Sequence, residues 1–348
     1  MKPAARYIAS TLLTAAFLTG AVAAFNAWVD PFMQYSRPGD KPRFVTGFAR
    51  HINAGLARHL DYNAVVMGSS YAMNFRNSDF NRAFGGSTVN LTMPGMYVSE
   101  GAKVVTHAAR SRHLERVFFG LDFFAFVDSQ RRYEFPDYLY DSTWLNDWPY
   151  LLSFDTLKRS GYARLDMGPR NYNVDPDWPW SWARAETRPS RALALADYRR
   201  LKMLHAALPP SFPPAEMQQV AVQHLGGMLA ANPQTRFQLF LPPYSVLTWT
   251  LDAQQQNLEK KLAFRSFLAQ FVARYPNARL HDFQAHTPLV CDLDKYTDIG
   301  HYGPDENREL VKLMAAQQFV ASPASIERAN SVIRDAVRTS CAGSVSVQ

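Results

Sequence analysis

The chain has 348 residues, of which 47% are hydrophobic, enough for one large core and, by length, for two domains. We find no repeat at a fixed period and no low-complexity tract. The net charge of +7 is spread along the chain, and its densest basic stretch, residues 110–132, lies in no recognisable nucleic-acid-binding module. These features argue against a nucleic-acid partner; attraction to anionic lipid or glycan is the milder interpretation.

The first thirty residues contain a long apolar segment. Lys2 and Arg6 precede 23 residues, Tyr7 to Val29, without a charge, and such a helix is roughly 34 Å long. The cations before it would stay in the cytoplasm, so we predict a single-pass inner-membrane anchor at 1–30 with the remainder in the periplasm or extracytoplasmic space. The alternative is a secreted protein whose signal peptide is cleaved after Ala21-Val22-Ala23. The apolar run continues past that site through Trp28, which favours the anchor.

The rest of the chain alternates between short apolar runs and helical patterns. Residues 31–60 are predicted to form a connector that ends in a short helix, and residues 61–340 one domain. Strands are predicted at 63–67, 87–91, 116–121, 237–241 and 278–283. Helices are predicted at about 71–84, 99–111, 191–207, 214–231, 252–274 and 323–337, with another opened by Pro304. This alternation predicts a three-layer α/β/α sandwich around a parallel five-stranded sheet, with right-handed crossovers.

An aromatic-rich insertion interrupts this pattern at about 123–210. Its periodicity is weak, and its members are Trp144, Trp148, Trp178, Trp180, Trp182, Tyr138, Tyr140 and Tyr172. Aromatic faces stack on sugar rings, so a glycan groove is one interpretation. A small hydrophobic lid, or an interfacial surface near the bilayer, is the other.

A serine, an aspartate and a histidine lie where a parallel sheet would bring them together. Ser70 follows the first strand, whereas Asp298 and His301 follow the last one, and ligands bind beyond the carboxyl ends of such strands. A serine needs a base to remove its proton and a third group to orient that base. We therefore predict that Ser70, His301 and Asp298 are catalytic. The alternatives are a helix-capping serine, a loop histidine and a turn-forming aspartate.

Other residues near these loops have less defined roles. A helix starting near Tyr71 would add its dipole and the Ser70 amide to the stabilisation of an oxyanion. Gly95 is predicted to supply a second backbone amide or, alternatively, to form only a turn. Asp122 receives no catalytic role, because an ionised carboxylate cannot donate a hydrogen bond.

The two cysteines, Cys291 and Cys341, could form one disulfide in an oxidising compartment, tying the C-terminal tail near the active-site loop. Their spacing predicts no metal site, and we expect neither a metal nor another cofactor.

These motifs resemble those of the SGNH/GDSL hydrolase superfamily over about residues 60–320. Gly68-Ser69-Ser70 resembles the first block, which ends in the nucleophile, and Asp298-Ile299-Gly300-His301 the last block, which supplies the Asp and His. Gly95 falls at the oxyanion glycine of the second block. The resemblance implies an SGNH/flavodoxin-like fold with Ser70 as nucleophile, His301 as general base and acid, and Asp298 as its orienting partner.

The chain departs from the family pattern at two positions. Ser69 replaces the usual Asp of the first block, and Asp122 stands where the third block presents an oxyanion Asn. With the N-terminal apolar helix, the motifs look like the exported branch associated with cell-envelope acylation. The D-alanyl transfer protein of teichoic-acid biosynthesis and the exopolysaccharide O-acetylation proteins are of that kind.

The resemblance implies an exported O-acyltransferase or esterase that acts on a cell-envelope or extracellular polysaccharide through an acyl-enzyme. Its expected partners are a glycan or acylated saccharide and a multi-spanning membrane acyltransferase. The alternative is a catalytically inactive polysaccharide-binding or scaffold component of an envelope assembly, with Asp122 marking the lost chemistry.

Overall fold

The computed structural model of the chain describes residues 3–39, 42–168, 172–183, 188–207, 212–339 and 341. Lys2 and residues 169–171, 184–187 and 208–210 of the predicted insertion lie outside this described part. The centre of the fold is a parallel five-stranded sheet in the order β2-β1-β3-β4-β5. Its strands are β1 (Ala64–Met67), β2 (Thr88–Asn90), β3 (Arg116–Gly120), β4 (Arg236–Leu241) and β5 (Ala278–Asp282).

The strands form where short, continuous apolar runs occur in the sequence. Each observed strand agrees with its predicted range to within one residue at either end. All four residues of β1 are buried, and Val66 is paired in register with Phe118 of β3. Helices cover the side chains on both faces of a parallel strand, so polar and apolar residues need not alternate along its sequence. The predicted α/β fold with a parallel five-stranded sheet is confirmed.

The described residues contain fourteen α-helices. They are α1 (Pro3–Val29), α2 (Ala49–His59), α3 (Asn77–Phe84), α4 (Val98–Ser111), α5 (Trp148–Leu151), α6 (Phe154–Leu165), α7 (Arg191–Ala207), α8 (Pro214–Val220), α9 (Gly227–Ala231), α10 (Val246–Gln254), α11 (Leu258–Val272), α12 (Thr287–Val290), α13 (Pro304–Ala315) and α14 (Ile326–Thr339). A π-helical segment, Ala221–Gly226, joins α8 to α9. Short 3-10 turns occur at Thr46–Phe48, Phe123–Phe126, Asp128–Gln130, Asp137–Leu139, Phe283–Ala285 and Leu293–Lys295.

Two adjacent residues of β3 show that helices cover both faces of the sheet. The Phe118 ring packs against Phe80 of α3, with ring centroids 4.4 Å apart. The Phe119 ring lies against Gly101 of α4, where it fills the space that a Cβ would need. Because neighbouring residues of a strand point to opposite faces, α3 and α4 lie on opposite sides.

The sheet order places a crevice at the carboxyl ends of β1 and β3. The chain leaves β1 toward β2 on one side and later returns to build β3, β4 and β5 on the other. Ligands in open parallel sheets bind at such a reversal of strand order. Ser69 and Ser70 lie two and three residues after β1 here, and Asp122 lies two residues after β3.

The helix predicted from about Tyr71 begins only at Asn77, and residues 70–74 form turns instead. Tertiary contacts take the carbonyls that a helix would use: Trp178 Nε1 donates to Asn74 O, and Asn90 Nδ2 donates to Phe75 O. The proposed support from a helix dipole beside Ser70 was therefore wrong.

The long helix predicted at 252–274 is likewise two helices, α10 and α11. They are separated by Gln256, whose φ of 59° lies in the left-handed region. Such a residue interrupts the regular right-handed helix, so the chain turns between the two segments.

The N-terminal helix α1 is long and apolar enough to cross a membrane, and a signal sequence would pass the same test. Within the predicted connector, α2 is largely buried and packs against α4. Near the other terminus, a disulfide joins Cys291 to Cys341 across 50 residues.

Candidate active site

Ser70, His301 and Asp298 form a continuous hydrogen-bonded chain at the carboxyl edge of the sheet. Ser70 Oγ lies 2.7 Å from His301 Nε2, and His301 Nδ1 lies 2.6 Å from Asp298 Oδ2. With the ring proton on Nδ1 donated to the carboxylate, Nε2 is left as the acceptor for the serine proton. The fold thus brings together three residues that are up to 231 positions apart in sequence.

The backbone around Asp298 holds its carboxylate in place. Asp298 Oδ1 accepts from the amides of Gly300 at 2.8 Å and of His301 at 2.7 Å, leaving Oδ2 for the imidazole. Burial by itself raises the pKa of Asp298, but the hydrogen bonds and charge of His301, with the two amides, bring that pKa below its ordinary value. An ionised Asp298 can stabilise an imidazolium, as the orienting member of a serine–histidine pair must.

Two aromatic residues fix the position of the imidazole. The Tyr71 ring stacks on His301 with centroids 4.3 Å apart, and the Trp182 ring meets it edge-on at 5.4 Å. Trp182 Nε1 also donates to the Ser70 carbonyl at 2.8 Å. Neither residue was predicted from the sequence to belong to the catalytic site. The position of Tyr71 directly after the serine was the available signal, whereas Trp182 gave none beyond its membership of the insertion.

Gly95 lies at the site in a conformation that suits a close approach of substrate. Its φ is +56°, and its amide, like that of Ser70, donates to no acceptor in the described part of the chain. Arg50 anchors this turn by donating to the carbonyls of Pro94 and Gly95, and a buried ion pair with Glu100 holds Arg50 in turn. Two amides without protein partners are suitable donors for an oxyanion.

Asp122 is buried behind the nucleophile rather than exposed to the active-site cavity. Its Oδ2 accepts from Ser69 Oγ at 2.5 Å and its Oδ1 from the Tyr244 hydroxyl at 2.8 Å. Burial raises the pKa of Asp122 to about 6, although these hydrogen bonds and the charge of His301 oppose the shift. Asp122 therefore supports the turn that carries Ser70, and the Ser69 hydroxyl is engaged there.

A cavity of about 360 Å³ opens in front of the serine. Its lining residues are Ser70, Tyr71, Pro94, Gly95, Tyr97, Phe124, Gln130, Arg132, Tyr133 and His301. None of the eight aromatic residues singled out in the insertion is among them. Trp180 is fully buried and donates to the Asn90 carbonyl, whereas Trp144 and Trp148 are exposed elsewhere. Four of the cavity's lining residues, Tyr71, Tyr97, Phe124 and Tyr133, are aromatic.

The described residues contain no group of three or more His, Cys, Asp or Glu side chains placed to hold a metal ion. The arrangement of Ser70, His301 and Asp298 has the elements of nucleophilic acyl transfer: a hydroxyl, a base, a carboxylate that orients the base, and unpaired amides beside them.

Comparisons with known proteins add little to this picture. No family model and no curated protein matches the sequence. One solved structure from Streptococcus pneumonia, proposed to be a platelet activating factor, is similar with a TM-score of 0.40 and 10% sequence identity. That similarity covers 78% of this chain and 91% of the other. A likeness of this extent carries no functional argument, so the function must be argued from the site itself.

Proposed function

We propose that the protein is an exported, serine-dependent O-acyltransferase or esterase that acts on a cell-envelope or extracellular polysaccharide. The observation that carries the proposal is the hydrogen-bonded chain from Ser70 through His301 to Asp298 beside an open cavity. Each member has the partner that its chemical role requires. The SGNH-like motif order supports the same assignment.

In the first half of the reaction, His301 Nε2 removes the proton from Ser70 Oγ as that oxygen attacks the acyl carbonyl carbon. The new bond converts the carbonyl oxygen into an oxyanion, which the amides of Ser70 and Gly95 stabilise. Asp298 stabilises the imidazolium. The bond to the leaving oxygen then breaks, and His301 Nε2 donates its proton to that oxygen, leaving an acyl-enzyme ester on Ser70.

In the second half, a hydroxyl of the acceptor saccharide or a water molecule takes the place of the departed group. His301 Nε2 removes its proton, the acceptor oxygen attacks the acyl carbonyl, and Ser70 recovers its proton when the ester bond breaks. A saccharide acceptor makes the protein an acyltransferase, whereas water makes it an esterase.

The location of the protein follows from α1 in this proposal. A retained α1 holds the catalytic domain at the outer face of the inner membrane, where a multi-spanning membrane acyltransferase would supply the acyl group. The restricted volume near a membrane raises the rate at which two anchored proteins meet. A secreted form cleaved after Ala23 is the alternative, and the intact mass of the purified protein distinguishes the two.

A second candidate role is a catalytically inactive polysaccharide-binding or scaffold component. One observation favours it: Asp122, at the position of the family's oxyanion Asn, accepts hydrogen bonds at both of its oxygens and lines no part of the cavity. In this role the cavity would bind a glycan without forming a covalent intermediate.

A fluorophosphonate probe separates the two roles because it forms a stable bond only with an activated serine. We expect the wild-type protein to be labelled on Ser70, as located by peptide mass mapping. Ser70→Ala and His301→Asn should not be labelled. Ser69→Ala, which removes the adjacent but engaged hydroxyl, is the matched control and should still react. An unlabelled wild-type protein whose thermal unfolding is normal would support the binding or scaffold role.

A further inference from the structure

The carboxyl-terminal end of α1 is locked onto the body of the protein. Asn26 of α1 is fully buried; its Nδ2 donates to the Leu151 carbonyl of α5, and its Oδ1 accepts from the Ser160 hydroxyl of α6. Because the buried Asn26 amide has no contact with water, it depends on these two protein partners, and they fix the orientation of α1. The apolar helix is therefore joined to α5 and α6 by specific contacts.

The turn that follows α1 is equally well held. Asp30 accepts hydrogen bonds from the amides of Gln34, Tyr35 and Ser36, and from the Tyr150 hydroxyl of α5. In a flexible linker these backbone amides would donate hydrogen bonds to water instead. The chain instead leaves α1 in an ordered turn, so the orientation of the body relative to α1 is fixed.

Exposed apolar side chains are concentrated beside this junction. We use the name apolar collar for six residues in and around α5 and α6, each between 42% and 75% exposed: Trp144, Leu145, Trp148, Leu152, Phe154 and Leu165. Phe154 and Leu165 are eleven residues apart on α6, about three helical turns, and so share one helix face. Monomeric soluble proteins rarely expose a large patch of apolar side chains unless the patch binds a partner or a membrane.

Cations accompany the collar. Lys158 and Arg164 lie on α6, and the Arg164 guanidinium is 4.5 Å from the ring centroid of Trp28, which is 67% exposed at the end of α1. Exposed Trp and Phe beside Lys and Arg are typical of helices that lie in the headgroup region of a bilayer.

Resting on the membrane-anchored form of the proposed function, we propose that the apolar collar is a second membrane contact, inserted into the bilayer interface around the point where α1 would leave the membrane. The occupant is lipid, because the collar lies on and beside α5 and α6, the helices that pack against the candidate membrane span, and has cations next to it that attract anionic headgroups. The single helix is then a rigid anchor, and the bilayer surface fixes the orientation of the catalytic domain.

Spin-label accessibility in lipid nanodiscs tests this proposal with the full chain. Both native cysteines are disulfide-bonded, so Leu145→Cys and Phe154→Cys each offer one reactive thiol. The matched control is Val222→Cys, which is 54% exposed on the π-helical segment that packs against α4. Each labelled variant must first show a wild-type unfolding temperature.

In discs that hold one copy and contain anionic lipid, we expect the labels at 145 and 154 to collide severalfold less with a water-soluble nickel complex than the label at 222. They should collide more often with dissolved oxygen than the label at 222 does. The proposal would be overturned if the labels at 145 and 154 were as accessible to the nickel complex as the label at 222, whether or not α1 is retained. Protection that appears only in discs with two copies would also overturn it, by assigning the collar to a protein interface.

Discussion

Replacing Asp122 by Asn should remove a pH dependence from the stability of the protein. The Asp122 side chain is almost fully buried, and burial raises its pKa from 3.8 to about 6. Its partners, Ser69 and Tyr244, are hydroxyls that can donate or accept. An amide can therefore take the same place without leaving a buried group unpaired.

The sign and size of the effect follow from this shift in pKa. Between pH of about 4 and about 6 the unfolded chain has lost the Asp122 proton while the folded protein keeps it. The free energy of unfolding of the wild-type protein therefore falls as pH rises through this range and becomes level above it. The difference between 3.8 and about 6 corresponds to about 3 kcal/mol. The Asn variant has no such proton to lose.

Thermal unfolding in detergent at pH 4, 5, 6, 7 and 8 would test the prediction. For a chain of this length about 3 kcal/mol corresponds to about 4 °C. We expect the difference in Tm between Asp122→Asn and wild type to grow by about that amount from pH 4 to pH 7. Glu134→Gln, which removes an exposed carboxylate, is the control and should show a constant difference. A constant difference for Asp122→Asn as well would refute the assignment of a raised pKa.

Three further changes test other parts of the structure. Asp298→Asn should slow fluorophosphonate labelling about 10³- to 10⁴-fold, because the imidazole loses its orienting charge; labelling at the wild-type rate would remove Asp298 from the proposed mechanism. Gly95→Ala places a Cβ 3.0 Å from Tyr133 Cε2 at a φ of +56°, and should slow labelling about tenfold. An unchanged rate would show that the turn tolerates a side chain. Reducing the Cys291–Cys341 disulfide should lower the Tm by about 5 °C, since the bond closes a loop of 50 residues. The double variant to Ser should not respond to reductant, and a similar response there would assign the effect to the reductant.

Much of the sheet could be predicted because its strands carry a local signal. A strand covered on both faces must be apolar throughout, and β1 and β3 show this in a few consecutive residues. The location of the site at the carboxyl edge of the sheet could then be predicted from topology, because the carboxyl ends of parallel strands meet on one side. Ser70, Asp298 and His301 could be predicted to lie near one another for that reason alone.

The surroundings of the site could not be predicted, because they depend on contacts between distant parts of the chain. Trp182 reaches the Ser70 carbonyl across 112 residues, and Arg50 reaches Glu100 across 50. The late start of α3 has the same origin, since carbonyls of the turn before it bind side chains from β2 and the insertion.

The sequence by itself determined the strands, the apolar N-terminal helix and the order of the three candidate catalytic residues, because each depends on local composition or on strand direction. Only the tertiary structure decided that Asp122 supports Ser69 instead of facing substrate, and that the aromatic insertion is divided among the site, the buried core and the exposed collar. A buried polar side chain forms hydrogen bonds with whichever partners folding brings to it, and those partners lie far away in the sequence.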